Sequence, residues 1–423
     1  MTIPNIHKLF TESTGVSTDT RTLQPDNLFF ALSGDNFNGN KFAKQALNKG
    51  AKYAVIDDQN YQTEKTILVK NTLQTLQDLA SYHRKTLNTP IIALTGSNGK
   101  TTTKELINAV LSKKHNTTAT HGNLNNHIGV PLTLLSLNTN TEIGIIEMGA
   151  NHFHEIELLA NITQPDYGYI TNFGKAHLEG FGSLEGVIKA KSELYTNLRQ
   201  NNKLAFVDID NHKQVKQSEN IKKYTFSQSN KSNTEVIFLE ANPCVVVSYK
   251  NHTIKSNLIG LYNFTNIAAA ITIGEYFNVN TGAIINAIEN YHPTNNRSQI
   301  TQKGTNKIIL DAYNANPTSM MAALENFNQL DVDNKVLFVG DMFELGETSN
   351  KEHQHIIDYI EAMTLKKCHV LGKHFYKTKH SANIKTYLDF NSLKDNFLDK
   401  IDNSTILIKG SRGMALERIL DLL

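Results

Sequence analysis

A chain of 423 residues predicts two or three domains with length enough for buried cores. Hydrophobic residues at 39% and charged residues at 19% match a water-soluble globular protein and exclude a disordered one. A net charge of +2 without a long basic run argues against nucleic acid as the main partner, and no apolar stretch is long enough to insert in a membrane.

Residues 1–88 alternate short strands and helices. Asn27–Leu32 reads as a strand ending at Ser33-Gly34. Phe42–Leu47 reads as a helix closed by Gly50. Tyr53–Ile56 and Ile67–Val69 are further strands. Leu73–Leu87 has helical apolar spacing at Leu73, Leu76, Leu79 and Ala80. Asn88-Thr89-Pro90 is a plausible linker, and the unit before it could fold separately.

Residues 89–296 carry a doubly wound, mostly parallel α/β pattern. Pro90–Leu94 is a buried strand, and Lys104–Leu111 a helix. Between them lies Thr95-Gly96-Ser97-Asn98-Gly99-Lys100-Thr101-Thr102. Glycines there let backbone N–H groups turn onto phosphate oxygens, and the helix start adds partial positive charge. Lys100 would reach the β- and γ-phosphates of ATP, and the Thr101 hydroxyl would ligate Mg²⁺. The alternative is a plain glycine turn joining strand to helix. Glu142–Ile146, Asp166–Thr171 and Leu204–Val207 are further strands. Cys244–Tyr249 and Thr253–Leu258 form an added antiparallel hairpin.

Residues 297–423 begin a fresh α/β pattern. Lys307–Leu310 is a strand ending on Asp311, Met320–Phe327 a helix, Val336–Val339 a strand, and Thr405–Ile408 a late strand. Cys244 and Cys368 form no spaced set, and the first residues carry no signal-peptide pattern. Both features predict a cytoplasmic chain.

Several side chains sit where such sheets gather ligands. Glu147, at a strand end beside the phosphate loop, can hold Mg²⁺ or be a solvated glutamate. His177 can bind a cation, but a lone histidine reads first as a surface or capping residue. Lys191 and Lys189 are equal candidates as routine helix-surface lysines. Asn123, Asn125 and Asn126 suit hydrogen bonds to sugar or phosphate oxygens, or a polar turn. No covalent nucleophile motif is present, so a P-loop here would move a phosphoryl group or drive motion.

The chain resembles the Mur ligases, ATP-dependent peptide-bond-forming enzymes of bacterial cell-wall synthesis. Their loop is spelled Thr-Gly-x-Asn-Gly-Lys-Thr, as at Thr95–Thr101. Matches continue through Asp19-Thr20-Arg21, Leu28–Gly34, Gly122–Pro131, Glu147–His152 and Ala176–Ser183. They extend to Asp311–Pro317, Gly340–Gly346 and Lys409–Arg412. The spellings Tyr-Asn-Ala-Asn-Pro and Gly-Asp-Met-x-Glu-Leu-Gly are similar to those of the member that adds D-alanyl-D-alanine to UDP-N-acetylmuramoyl-tripeptide.

The resemblance implies an N-terminal UDP-binding unit, a central ATPase and a C-terminal Rossmann-like domain. It implies ATP, a pair of Mg²⁺ ions, a CO₂-derived carbamate on Lys191, and a monomer. His177 becomes a metal ligand with Thr101, Glu147 and Lys191. Gly96–Thr102, Asn266, Arg297 and Asp311 become nucleotide contacts. Asp19, Arg21, Gly34 and Asn38 become uridine-side contacts, although relatives often carry Asp-Gly where this chain has Asn38-Gly39. Asn123, Asn125 and Asn126 fall towards the muramoyl end. Asn314, Asn316, Asp341 and Glu344 fall towards the dipeptide. Competing readings are the ligase that adds the third peptide residue, a folylpolyglutamate synthetase, and a P-loop motor or regulatory NTPase.

Overall fold

The computed structural model describes residues 1–294 and 296–423. Its framework is three mostly parallel sheets met in chain order. The first orders Val16–Ser17, Leu28–Phe30, Tyr53–Ile56 and Thr66–Leu68, all parallel. The helix Thr72–Leu87 follows. Asn71 starts it by accepting a hydrogen bond from the Gln74 N–H at 2.8 Å, and Asn88 ends it in the left-handed region at φ 53°.

This helix serves two regions. Leu76, Leu79 and Ala80 are buried in the same apolar cluster as Leu28 and Phe30. Its polar side meets the central region. Gln77 Nε2 donates to the His127 carbonyl at 3.0 Å, and His83 Nε2 bonds the Leu137 carbonyl at 2.9 Å. Arg84 donates to the Thr163 carbonyl at 3.0 Å and to Asp166 at 2.7 Å. The expectation of a separately folding first unit on a linker therefore meets a helix fixed on both sides. One apolar cluster runs from Ile6 through Ile91 and Ile156 to Leu337.

The second sheet has seven strands. Their order is Thr234–Glu235, Lys222–Ser227, Leu204–Asp208, Tyr167–Ile170, Ile91–Thr95, Ile143–Glu147 and Thr117–Ala119. Every pairing is parallel. The strand Ile91–Thr95 is buried throughout, which explains its unbroken apolar run. Helices Lys100–Leu111 and Phe264–Tyr276 pack together over one face. The predicted hairpin is present as Cys244–Tyr249 and His252–Ile259. It gains a third strand, Ile237–Ala241.

The third sheet has six strands. Gln299–Lys303 is an antiparallel edge beside Asn306–Asp311. Thr405–Lys409, Lys335–Gly340, Lys367–Leu371 and Ile384–Tyr387 continue it in parallel. No helix among the described residues is long and apolar enough to cross a membrane.

Candidate active site

The phosphate loop is shaped by two glycines that nothing larger could replace. Gly96 has φ +147°, and a Cβ there would lie 2.0 Å from Thr171 Oγ1. Gly99 has φ +79°, and its Cβ would lie 2.6 Å from Asn266 Oδ1. The neighbouring strand end holds the loop. Asn172 Oδ1 accepts from the Asn98 N–H at 3.0 Å, while Thr171 Oγ1 and Asn172 Nδ2 donate to the Asn98 carbonyl at 2.6 and 3.0 Å. Ser97 Oγ donates to the Gly174 carbonyl at 2.8 Å. The helix Lys100–Leu111 starts at Gly99 without a side-chain cap, so its first N–H groups point at the loop mouth. Lys100 folds over its own loop, with Nζ 2.7 Å from the Gly96 carbonyl.

Glu147 ends the adjacent strand and is 1% exposed. Its Oε1 accepts from Asn125 Nδ2 at 2.8 Å, whereas Oε2 is buried without a hydrogen-bond partner among the described residues. A buried carboxylate oxygen without a donor is costly unless a cation satisfies it. Glu147 and the Thr101 hydroxyl therefore fit a divalent ion. Among the described residues no three His, Cys, Asp or Glu side chains gather as a self-sufficient metal cage. Phosphate oxygens would complete the shell, as is usual for Mg²⁺.

Burial pushes the Lys100 ammonium pKa down, Glu147 pulls it back up, and Arg297 lowers it again. His177 also lines the cavity, and burial lowers its pKa. Its Nδ1 hydrogen-bonds the Glu344 carboxylate. The tie between the two lysines is broken by burial. Lys191 is 0% exposed, with Nζ 2.9 Å from the Ala150 carbonyl and 5.1 Å from the Phe181 ring centre. Lys189 is exposed, with its Nζ over the Phe153 ring. Burial and the positive Lys100 hold the Lys191 pKa well below the ordinary lysine value.

The third sheet supplies the opposite wall. Lys409 Nζ donates to Asp311 Oδ2 at 2.6 Å. Arg297 stacks on the Tyr313 ring at 3.7 Å, its Nε buried without a partner among the described residues. Asn316 Nδ2 donates to Asn98 Oδ1 at 2.7 Å. Together these walls enclose a cavity of about 660 Å³. It is lined by Ser97–Thr102, Asn123, Asn125, Asn126, Glu147, His177, Asn266, Arg297, Asp311 and Asn314, among others.

Not every predicted residue faces it. Asn266 lines the cavity, but its amide already accepts from Thr103 Oγ1 at 2.9 Å and donates to Asn263 at 2.8 Å. It is buried under Gly99, tying two helices together. Asn126 Oδ1 caps the start of the helix Gly129–Leu135 by accepting from Ile128 and Gly129 N–H groups at 3.1 and 2.8 Å. Asp341 turns away from the cavity. It is 2% exposed and accepts the His374 and Phe375 N–H groups, each at 3.0 Å. Glu344 reaches His177 instead of open dipeptide space. Asp19 and Arg21 form an exposed pair at 2.6 Å, which holds the Asp19 carboxyl down to about 2. Gly34 and Asn38 line a separate open groove with Phe37 and Lys41. Sequence reasoning passed over Lys409 and Tyr262 as site residues. The strand end ahead of Lys409-Gly410-Ser411 was the available signal for the first.

A phosphate loop, a buried strand-end carboxylate and a facing wall from another sheet define an ATP-dependent transferase or ligase site. Sequence models of the Mur ligase family match nearly the whole chain. "Mur ligase family, catalytic domain" covers residues 12–84, "Mur ligase middle domain" 94–274 and "Mur ligase, glutamate ligase domain" 296–412. The chain belongs to the Mur ligase family. It is 34% identical to the UDP-N-acetylmuramoyl-tripeptide–D-alanyl-D-alanine ligase of Bacillus subtilis, over 96% of this chain and 92% of that one. It is also 34% identical to the ligase of the same name from Escherichia coli, with the same coverage. A crystal structure of MurF from Acinetobacter baumannii superposes with a TM-score of 0.84 at 26% identity, covering 98% of this chain and 97% of that one. MurF ligase of Thermotoga maritima, solved with ADP, shares the fold at a TM-score of 0.85 and 24% identity, with the same coverage.

Proposed function

We propose that this chain is an ATP-dependent ligase that joins D-alanyl-D-alanine to UDP-N-acetylmuramoyl-tripeptide, making the pentapeptide precursor of peptidoglycan. The observation that carries the reading is the cavity between the phosphate loop and the Asp311–Asn314 wall, in a chain 34% identical to ligases of that name over 96% of its length. The assignment of residues 1–88 to UDP binding, 89–296 to ATP and 297–423 to the dipeptide follows the three sheets. A monomer in the cytoplasm belongs to the same reading, and both cysteines are free, as suits that compartment.

The mechanism follows from charge. A carboxylate does not release oxide to an amine, so the tripeptide carboxylate first takes the γ-phosphoryl group of ATP. Lys100 and the N–H groups at the start of the helix Lys100–Leu111 hold the phosphates and offset charge on the transferring group. Glu147 and Thr101 would hold Mg²⁺, which would supply positive charge to offset that on the transferring group. The dipeptide amine then attacks the acyl phosphate, and phosphate departs from the tetrahedral intermediate. Water would hydrolyse the acyl phosphate, so the three domains should close over it during the reaction.

Lys191 is suited to take up CO₂ as a carbamate, losing a proton as the N–C bond forms. Burial, which depresses its pKa, favours the neutral, nucleophilic amine. The resulting anion would help hold a second Mg²⁺.

The test is coupled ADP release with mass analysis of the product. ADP release should require both UDP-muramoyl-tripeptide and D-alanyl-D-alanine, with free D-alanine a poor acceptor. Turnover with UDP-muramoyl-dipeptide and a diamino acid, and none with D-alanyl-D-alanine, would assign the chain to the preceding ligation.

A further inference from the structure

The loop after the strand Lys335–Gly340 is fixed at every step. The Asp341 N–H donates to the Leu371 carbonyl at 3.0 Å, and its carboxylate clamps His374 and Phe375. The Met342 N–H donates to His353 Nε2 at 3.0 Å, and the Phe343 N–H to Ser411 Oγ at 3.0 Å. The next residue, Glu344, is left-handed at φ 60°. That geometry turns it out of its own sheet and onto the segment after the strand Tyr167–Ile170. Its carbonyl accepts the Glu179 N–H at 3.1 Å, and its carboxylate meets His177 Nδ1. His177 is itself left-handed at φ 52°. Two strained residues from different sheets thus meet through both main chain and side chain.

An ionised carboxylate only accepts hydrogen bonds, so Nδ1 of the neutral ring carries the proton. The lone pair is then confined to Nε2. We propose that Glu344 is a positioning residue that fixes the His177 tautomer and ring orientation, so that Nε2 is set as a cation ligand only when the C-terminal sheet is docked. The proposal rests on the cation-binding reading of His177. It replaces the expectation that Glu344 contacts the dipeptide. It also assigns the conformation of this loop a task, which is to make readiness of the metal site depend on the position of another domain. Carboxylates behind histidine ligands typically change metal affinity 10–100-fold.

The experiment uses the full chain labelled with ¹⁵N-histidine. Long-range ¹H–¹⁵N spectra report the His177 tautomer without any metal, with His177→Gln identifying the signal. Mn²⁺ binding in the presence of ADP is followed by electron paramagnetic resonance. In the parent, His177 should be the Nδ1–H form. Glu344→Ala should give a tautomer mixture and weaken Mn²⁺ by about 10–100-fold. Glu344→Gln, whose amide oxygen still accepts from Nδ1–H, should stay near the parent in both readouts. An unchanged tautomer and unchanged Mn²⁺ affinity in Glu344→Ala overturns the proposal. If His177→Gln binds Mn²⁺ as the parent does, the underlying ligand reading falls too. If His177→Gln loses Mn²⁺ while Glu344→Ala keeps it, only the positioning role falls.

Discussion

Asn316 Nδ2 donates to Asn98 Oδ1 at 2.7 Å, joining residues 218 positions apart. Asn98 belongs to the phosphate loop and Asn316 caps the helix Pro317–Gln329 of the third sheet's domain. The bond lets nucleotide occupancy and the position of the C-terminal wall bear on each other. Asn316→Ala should raise the KM for ATP about 5-fold, the value of one net hydrogen bond near 1 kcal/mol. The cap it also provides makes a loss of about 1 kcal/mol in stability concurrent. Asn316→Asp retains the cap while losing the amide donor, so it should reproduce the KM effect with little stability loss. An unchanged KM for ATP in both variants would remove the bond from nucleotide binding.

Lys100→Ala should lower turnover by at least about 10²-fold while leaving the melting temperature near the parent's, because a phosphate-binding charge is lost and the loop backbone is kept. The measurement is ADP release at saturating substrates beside a thermal melt. Near-parent turnover in the folded variant would remove Lys100 from phosphate binding.

Lys191→Ala should be nearly inactive, and formate or acetate should restore part of the turnover by filling the space of the carbamate. Lys189→Ala should keep activity. In the parent equilibrated with ¹³C-bicarbonate, a carbamate carbon signal should appear and be absent from Lys191→Ala. Full activity of Lys191→Ala, or no such signal, would return Lys191 to a buried structural lysine.

His369 predicts a pH dependence. It is fully buried, stacked on Phe338 at 4.6 Å and beside Tyr387, with Nε2 3.5 Å from Asp399 Oδ2 but without a well-formed hydrogen bond among the described residues. Burial pushes its pKa down to about 4, from 6.5 in the unfolded chain. Between those values the unfolded state binds a proton that the folded state refuses. Its stability contribution is therefore full above pH 6.5 and falls as the pH drops towards 4, by on the order of 3 kcal/mol in total. Urea denaturation of parent and His369→Phe at pH 7 and pH 4.5 checks this. The variant should lose less stability on acidification than the parent, and an equal loss would contradict the assignment.

The phosphate loop was legible because its chemistry is contiguous. Strand, glycines, Lys100 and helix lie within one stretch, and each has a local reason. Glu147 was legible as a strand end. The His177–Glu344 contact was not, since 167 positions separate the two and their motifs do not tell that they meet. Helical spacing did not separate Lys191 from Lys189; the family resemblance singled out Lys191, and burial sets the two apart in the structure. Asp341 was misjudged because its motif is shared with the site while its carboxylate is spent on two backbone N–H groups. The double duty of Thr72–Leu87 escaped periodicity for another reason. Its second contact is made by Gln77, His83 and Arg84 to backbone carbonyls, and apolar spacing carries no trace of that.

That helix has a consequence for anyone recombining relatives. A graft that exchanges residues 1–88 between two such enzymes would carry the apolar side of the joint intact, but would present foreign polar side chains to the host's carbonyls at His127, Leu137 and Thr163. The misfit would strand a buried guanidinium at Arg84, one of the costliest groups to leave unsatisfied. A crossover ahead of Asn71 keeps the bonds to those carbonyls within one parent, but moves the seam to the Thr72 bonds with Asp57 and Ala31 and the His83 bond with His7, so those are the residues a graft must match.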